Sequence, residues 1–346
     1  MYFKEFKLSN SDCMAKPVIF VTDICEDPDD ALALILALAS PEIGVKLVVT
    51  SDEKDGKRAA FARALLDALG SSNIPVVRGH ESIKEGSGAV IEKVFGSTGI
   101  LARTKIPEEK DYVSTIRQTV KQNPGISIIS VGTFVELADL ARREPEIAGS
   151  VGVTLMGGAL NYHKPGKAEH NVRYSISDIT GIDSKPVINA AMDLFTSRMN
   201  LRFVLGDTTF MPDKIGITKD SETYKLFDGL GSTAAALVQA NMDAFFEKYY
   251  KVSIMHDPLT VASMLGDSIV EFGDKKIAMG ETGEMREAGN AVEGMVLRQL
   301  KVSTNANYSE FMQLFSQRIS ALVLKSAQNE LKVLERKEEV TKVKIK

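Results

Sequence analysis

Residues 21–40, VTDICEDPDDALALILALAS, join an acidic segment to a long apolar one. Five carboxylates fall within eight positions, and they belong to Asp23, Glu26, Asp27, Asp29 and Asp30. Residues 16–22, just before them, form a short apolar run rich in β-forming residues, which predicts a strand. The apolar run after Asp30 is long enough for a helix that is buried nearly all round. The stretch therefore predicts a strand, an acidic loop and a buried helix in succession.

The same alternation of strand and helix continues through the first half of the chain. Strands are predicted at residues 16–22, 45–50, 74–78, 126–132, 150–159 and 186–193. Helices are predicted between them, at residues 29–40, 57–70, 113–125 and 134–146. Strand and helix repeated at intervals of about 30 residues are typical of βαβ units and a parallel sheet. We therefore predict an α/β fold with a mostly parallel, Rossmann-like central sheet flanked by helices.

The second half of the chain is less regular. Helices are predicted over residues 220–250 and 307–327, and a β-hairpin region over 269–280. A further helix is predicted with Asp257 as its N-cap and Pro258 as its first residue. No domain boundary is evident. The expected organisation is an N-terminal extension at 1–15, one large α/β domain at 16–326 and a charged C-terminal tail at 327–346.

The composition is that of an ordinary globular protein, with 44% of the 346 residues hydrophobic and 25% charged. The net charge of −4 gives no reason to expect nucleic acid or an anionic membrane as a partner. Only Cys13 and Cys25 occur, so no disulfide framework is implied, and a reduced, cytoplasmic location is expected. The most apolar run, residues 31–39, is shorter than the roughly 20 residues that a membrane span needs.

The acidic segment has two readings. Asp27 could cap the helix, with Pro28 as its first residue and Asp29 and Asp30 in its first turn, where each charge gains ~0.3–1 kcal/mol from the helix dipole. Capping does not explain Asp23, nor why five acids meet. Carboxylates that share a site force one another to take up protons, and a hard divalent cation removes that conflict. We therefore favour a metal site made of oxygen ligands.

Several of these features fall at the ends of predicted strands. In open α/β sheets, ligands bind beyond the carboxyl ends of the strands. The acidic segment, the pair Gly157-Gly158 and Asp193 all fall at predicted strand ends, so they point to one crevice. Cysteine and histidine spacing of the zinc kind is absent from the sequence, and Cys25 is interpreted as a packing residue.

Five segments, in chain order, carry a resemblance to a known family. They are TDICEDPDDALALILALASPEI (22–43), IPVVRG (74–79), LMGGALNYHKPGKAEHN (155–171), VINAAMDLFT (187–196) and HDPLTVAS (256–263). In this order they resemble the inosine–uridine-preferring nucleoside hydrolase family, whose opening motif is Asp-x-Asp-x-x-x-Asp-Asp. The resemblance covers roughly residues 17–325 and implies the nucleoside hydrolase fold.

The resemblance also implies roles for individual residues. Calcium would be bound by Asp23, Asp30, Asp257 and the backbone carbonyl of Val131. Asp23 would also take a proton from the attacking water, and His256 would lie beside the leaving base. The ribose hydroxyls would be held by Asp29, Glu169 and Asn171, with help from Asn161.

The opening motif can be aligned with the family in two registers. In the first, Val21 stands for the first Asp and Asp23 for the second, with the extended spacing found in one branch of the family. In the other, Asp23 is the first Asp and Cys25 stands where the base should be, which would indicate an inactive or altered site. We prefer the first register because it leaves a carboxylate where water must be activated. Asp52, in TSDEKDG (50–56), would replace an Asn that touches the ribose.

The activity expected from the resemblance is calcium-dependent hydrolysis of the N-glycosidic bond of ribonucleosides, a reaction of class EC 3.2.2 that gives ribose and free base. A small-molecule nucleoside substrate, a role in purine or pyrimidine salvage, and a homodimer or homotetramer are expected with it. Two alternatives stay open, a catalytically silent nucleoside- or ribose-binding protein of the same fold and a hydrolase of another ribosyl conjugate. A phosphatase of the Asp-x-Asp type is disfavoured because Asp23-Ile24-Cys25 lacks the second Asp.

Overall fold

The computed structural model describes residues 15–81, 88–161, 190–266, 268–281, 283–290 and 292–344. Eleven strands lie in these ranges: β1 (Lys16–Thr22), β2 (Ile43–Thr50), β3 (Val76–Arg78), β4 (Ser127–Ser130), β5 (Gly152–Met156), β6 (Asn200–Val204), β7 (Gly216–Ile217), β8 (Ser253–Ile254), β9 (Val270–Gly280), β10 (Met285–Glu287) and β11 (Met295–Ala306). Nine of them form one sheet in the order β10-β9-β11-β6-β5-β4-β1-β2-β3, and β7 pairs with β8.

Helices cover both faces of this sheet. Those in the described ranges are α1 (Pro28–Ala39), α2 (Lys57–Ala68), α3 (Ala89–Ser97), α4 (Tyr112–Gln122), α5 (Val135–Arg143), α6 (Pro145–Gly149), α7 (Ala190–Thr196), α8 (Gly206–Thr209), α9 (Pro212–Ile215), α10 (Glu222–Asp228), α11 (Thr233–Lys248), α12 (His256–Ala262) and α13 (Tyr308–Lys344). None of the described helices is long and apolar enough to cross a membrane.

Strand β1 shows why the sheet carries two cores. Its side chains alternate in direction, so that Val18 and Phe20 join the core formed with α1, while Ile19 and Val21 join the core on the opposite face. The strands from β3 to β6 along the sheet run parallel, and β11 runs parallel to β6. Beyond β11, the strands β9 and β10 continue the sheet with antiparallel pairing. The predicted α/β fold with a mostly parallel sheet is therefore confirmed.

The pairing register brings the ends of three strands together. Thr22 of β1 lies opposite Thr50 of β2, and Val21 lies opposite Ser130 of β4. Because the three strands are parallel, the loops that follow them leave from the same edge of the sheet. This edge therefore receives the acidic segment after β1, the segment that contains Asp52 after β2, and Val131 after β4.

One predicted strand is wrong where the structure describes it. Residues 190–193 of the segment 186–193 lie in helix α7, and Asp193 is on that helix rather than at a strand end. A short apolar run fits a helix or a strand equally well, so periodicity could not decide between them. The parallel strand at this place is β6, in which buried Leu201 and Phe203 flank the half-buried Arg202.

Two helix boundaries also differ from those predicted. Helix α12 begins at His256 after Met255, so the prediction of Asp257 as its N-cap was wrong, and Asp257 lies in the first turn instead. Helix α13 runs on to Lys344, through the stretch predicted as a charged tail.

Candidate functional site

Two of the five acids after β1 hold neighbouring elements in place. Asp27 is the N-cap of α1, which is the role that the capping reading gave it. It accepts a hydrogen bond from the N–H of Asp29 and another from the hydroxyl of Ser253. The Glu26 carboxylate accepts a hydrogen bond of 2.7 Å from the hydroxyl of Tyr249. Asp27 and Glu26 thus attach the acidic loop to residues more than 200 positions further along the chain.

Three other carboxylates meet where the N-termini of α1 and α12 come together. One ligand oxygen each of Asp29, Asp30 and Asp257 lies within 4.8 Å of the other two, and all three side chains are buried. The first turn of α1 supplies Asp29 and Asp30, and the first turn of α12 supplies Asp257. The N–H of Asp257 donates to Oδ2 of Asp29 at 3.1 Å, and the hydroxyl of Thr22 donates to Asp30. We call these three side chains the carboxylate triad.

The electrostatics of the carboxylate triad are those of a site that could hold a cation. Burial raises the pKa of all three groups well above 3.8, and the negative charge of nearby aspartates, which include Asp23, raises it further. Carboxylates at this distance would share protons unless a positive charge lay between them. Buried oxygen ligands from two helix N-termini fit a hard divalent cation.

Asp23 lies directly after β1, beside the carboxylate triad. Burial raises its pKa to about 6, against the opposing influence of the Arg58 cation. A Cβ atom on Gly132 would lie 2.9 Å from the backbone nitrogen of Asp23, so the two segments are packed backbone to backbone. Val131, just before that glycine, donates its N–H to Val21 at 2.8 Å. The structure therefore brings Asp23 and Val131 to adjacent strand ends, while the carboxylates that lie within 4.8 Å of one another are those of Asp29, Asp30 and Asp257 and do not include Asp23.

Cys25 turns the chain between Asp23 and Asp27. Its φ is +77°, in the left-handed region that favours glycine, and its free thiol is fully buried in the apolar core that includes α1. Burial raises the pKa of this thiol well above 9.0. These features agree with its interpretation as a packing residue.

His256 begins α12, immediately before Asp257. Its Nδ1 lies 2.7 Å from Oγ1 of Thr209, and its ring is stacked on Phe210 with the ring centroids 6.1 Å apart. Burial lowers its pKa to about 4, so the imidazole is neutral at neutral pH. Thr209 and Phe210 hold the ring in one orientation, on the residue that precedes Asp257 in the chain.

The loop after β5 lies at the next strand end. The Asp207 carboxylate accepts hydrogen bonds from the N–H groups of Leu160 at 2.7 Å and Asn161 at 2.6 Å, and the Asn161 side chain is exposed. Gly158 has a φ of +77°, and a Cβ atom there would lie 2.6 Å from the sulfur of Met285. The other two predicted ribose ligands, Glu169 and Asn171, lie outside the described residues.

Two charged residues of this region were missed in the sequence. Glu136 of α5 is fully buried, accepts hydrogen bonds from Ser51 at 2.9 Å and from the His80 N–H at 2.9 Å, and has a pKa raised to about 7 by burial. Arg58 of α2 is also fully buried and forms an ion pair of 3.1 Å with Asp52. The sequence held a signal for Arg58, because it shares the spacing of the apolar residues Phe61, Ala62 and Leu65 on the buried face of its helix.

Comparisons with known proteins agree with the fold and extend to function. A sequence model described as "Inosine-uridine preferring nucleoside hydrolase" matches residues 18–314. The pyrimidine-specific ribonucleoside hydrolase RihA of Citrobacter koseri is 24% identical over 331 residues, which are 89% of this chain and 99% of that protein.

Two solved structures share the architecture. A purine-preferring ribonucleoside hydrolase from Gardnerella vaginalis has a TM-score of 0.67 and 24% identity, with 89% of this chain and 99% of that chain covered. An inosine-uridine preferring nucleoside hydrolase from Bacillus anthracis has a TM-score of 0.64 and 16% identity, with 88% and 99% covered. At these identities the structural similarity establishes the fold.

Proposed function

This chain belongs to the inosine-uridine preferring nucleoside hydrolase family, and on that premise we propose that it cleaves the N-glycosidic bond of ribonucleosides with a bound calcium ion. The family match over residues 18–314 confirms the resemblance carried by the five segments. The enzyme is an N-ribohydrolase, whose products are ribose and a free base. Similar proteins include a pyrimidine-specific and a purine-preferring enzyme, so the proposal covers both classes of base.

The carboxylate triad is the observation that carries the calcium proposal. Its oxygen atoms are buried, close together and repel one another when ionised, and no histidine or cysteine of the described residues belongs to the group. Calcium takes six to eight oxygen ligands, carboxylates and backbone carbonyls among them. We propose Asp30 and Asp257 as ligands, together with Asp23 and the Val131 carbonyl. Bound there, the ion would supply positive charge that lowers the pKa of water and attracts sugar hydroxyls.

Asp23 is proposed as the general base. A pKa of about 6 leaves its carboxylate ionised at neutral pH while keeping it able to accept a proton. The attacking water loses its proton to this carboxylate as its oxygen bonds to the anomeric carbon. The bond from that carbon to the base nitrogen breaks, and the sugar passes through an oxocarbenium-like state. Negative side chains around the sugar stabilise the positive charge that develops on it.

Ribose recognition is proposed for acids and amides around the same edge of the sheet. Asp29 belongs to the carboxylate triad, and Asp52 follows the neighbouring strand β2. Asn161 follows β5 on the other side. Glu169 and Asn171 keep the roles that the family resemblance implies. Together these residues would hold the hydroxyls of the ribose while leaving the base outside the acidic part of the crevice.

The test is the release of ribose from a panel of purine and pyrimidine ribonucleosides. We expect reducing sugar to appear with at least one nucleoside when calcium is present, and not after treatment with a chelator. Activity that survives complete removal of divalent cations would refute the calcium proposal. Nucleoside binding without any release of ribose would instead support the silent binding protein.

His256 is expected to assist departure of the base. A neutral imidazole can donate a hydrogen bond to the base nitrogen that gains negative charge, and a bond to a charged group contributes about 1.5–3 kcal/mol, or ~10–100-fold in rate. His256→Ala should therefore lower kcat by about that factor and leave KM within about threefold. Steady-state kinetics on each active nucleoside measure this, with His80→Ala as the control because the His80 ring contacts the backbone carbonyl of Glu81. An unchanged kcat in His256→Ala would remove this residue from the mechanism.

A further inference from the structure

Arg58 is a cation buried beneath an acidic site. It is the second residue of α2, and its side chain is 1% exposed. A buried charge is unfavourable unless it is paired and hydrogen-bonded, so its partners indicate why it is there. Those partners lie on two different loops at the same edge of the sheet.

The first loop is the acidic segment after β1. One terminal nitrogen of Arg58, Nη1, donates to the backbone carbonyl of Asp23 and to that of Ile24, the latter at 2.9 Å. Arg58 therefore holds the backbone of Asp23, the residue whose side chain we propose as base and calcium ligand.

The second loop follows β2. Nε of Arg58 donates to the backbone carbonyl of Asp52 at 2.7 Å, and Nη2 contacts Oδ2 of the same residue at 3.1 Å. Asp52 has a φ of +49°, in the left-handed region where a residue with a side chain is strained. The bidentate contact holds Asp52 in this conformation.

The charge and the shape of Arg58 suit both contacts. Burial raises the pKa of Asp23, Asp30 and Glu53, and the positive charge of Arg58 acts to lower it. Its planar guanidinium directs several donors at once to fixed acceptors, which a lysine ammonium cannot do. One buried side chain therefore joins the loop after β1 to the loop after β2.

We propose that Arg58 is a positioning residue that sets Asp23 for calcium binding and proton transfer and sets Asp52 for ribose binding. The inference rests on the proposed function of those two aspartates and adds a residue that acts through them. Replacing a side chain that hydrogen-bonds to a metal ligand typically lowers metal affinity or activity by ~10–100-fold. Loss of Arg58 should therefore affect calcium affinity, kcat and KM, in addition to stability.

Arg58→Lys tests this proposal because it keeps the positive charge and removes the planar guanidinium with its several donors. Calcium affinity, measured by titration calorimetry on purified protein, should fall by ~10–100-fold. At saturating calcium, kcat should still be reduced and KM raised. The matched control is Arg63→Lys on the same helix, since Arg63 donates to the backbone carbonyls of Ile74 and Ser71 away from the site. That control should change thermal stability alone.

A second variant separates the two contacts. Asp52→Ala removes the side-chain contact and leaves Arg58 with its three backbone carbonyls, so it stays informative if Arg58→Lys fails to fold. It should raise KM and leave calcium affinity unchanged. Wild-type KM in Asp52→Ala, or wild-type calcium affinity together with wild-type kcat in Arg58→Lys, would overturn the proposal. If the native protein releases no ribose, the proposed function fails, and the calcium affinity of Arg58→Lys then tests the positioning role by itself. A native protein with neither activity nor calcium binding would refute the proposed function and the role of Arg58.

Discussion

Asp23→Asn should abolish the release of ribose while the protein remains folded. The substitution keeps the shape of the side chain and its place after β1 but removes the group that accepts a proton. General base catalysis alone contributes typically ~10²–10⁴-fold to the rate, and weaker calcium binding would add to the loss. Steady-state assays on the best nucleoside measure the effect, and circular dichroism with thermal unfolding shows whether the fold is retained.

Cys25→Ser is the control that separates the two registers of the opening motif. The thiol of Cys25 is fully buried in the apolar core and its backbone has a φ of +77°, so a serine there should alter stability more than turnover. If Cys25 instead stood at the position of the base, the native protein would hydrolyse nucleosides poorly and Cys25→Asp would restore some activity. An active native enzyme that tolerates Asp23→Asn would show that the base is another residue.

Local sequence pattern was enough to predict the elements that build the site. The run from Lys16 to Thr22 is β1 as predicted, and the capping of α1 by Asp27 followed from the residue types. Asp30 and Asp257 meet because each lies in the first turn of a helix at the same edge of the sheet. The strand β6 was missed because Arg202 interrupts its apolar pattern, and α7 was misread because a short apolar run has no clear period.

What the sequence could not show are contacts between segments distant along the chain. Tyr249 reaches Glu26 and Ser253 reaches Asp27, and both partners lie more than 200 residues away. Nothing local to Glu26 or Asp27 distinguishes these bonds from metal ligation. Arg58 is a further case, because its spacing predicts burial but not the carbonyl groups it would find. Tertiary contacts thus divide the acidic segment into acids that hold the loop and acids that belong to the carboxylate triad.

Calcium should stabilise the folded protein strongly, and Asp257→Asn should remove that effect. A ligand that binds only the folded state stabilises it by about 2.7 kcal/mol at a concentration 100 times its dissociation constant. Thermal unfolding of the native protein should therefore shift upward when calcium replaces a chelator. Asp257→Asn loses one carboxylate of the triad, so the shift should be small or absent. Asp220→Asn changes an exposed acid in the turn before α10 and serves as the control.

Without calcium, Asp257→Asn should have the opposite effect and should make the folded protein more stable. Folded-state pKa values above the unfolded value mean that folding favours the protonated acids, so stability falls as pH rises through that range. For Asp23 the fall extends from the ordinary pKa of 3.8 to about 6, and the carboxylate triad adds to it in the same direction. The chelated native protein should thus be more stable at pH 5 than at pH 8, and Asp257→Asn should raise its melting temperature at pH 8 by relieving repulsion. If Asp257→Asn instead lowered that melting temperature and calcium had no effect on the native protein, the triad would be a set of hydrogen-bonded acids that hold α1 to α12. Opposite signs with and without calcium are the behaviour that only a cation site produces, because the charges that bind the ion are those that repel in its absence.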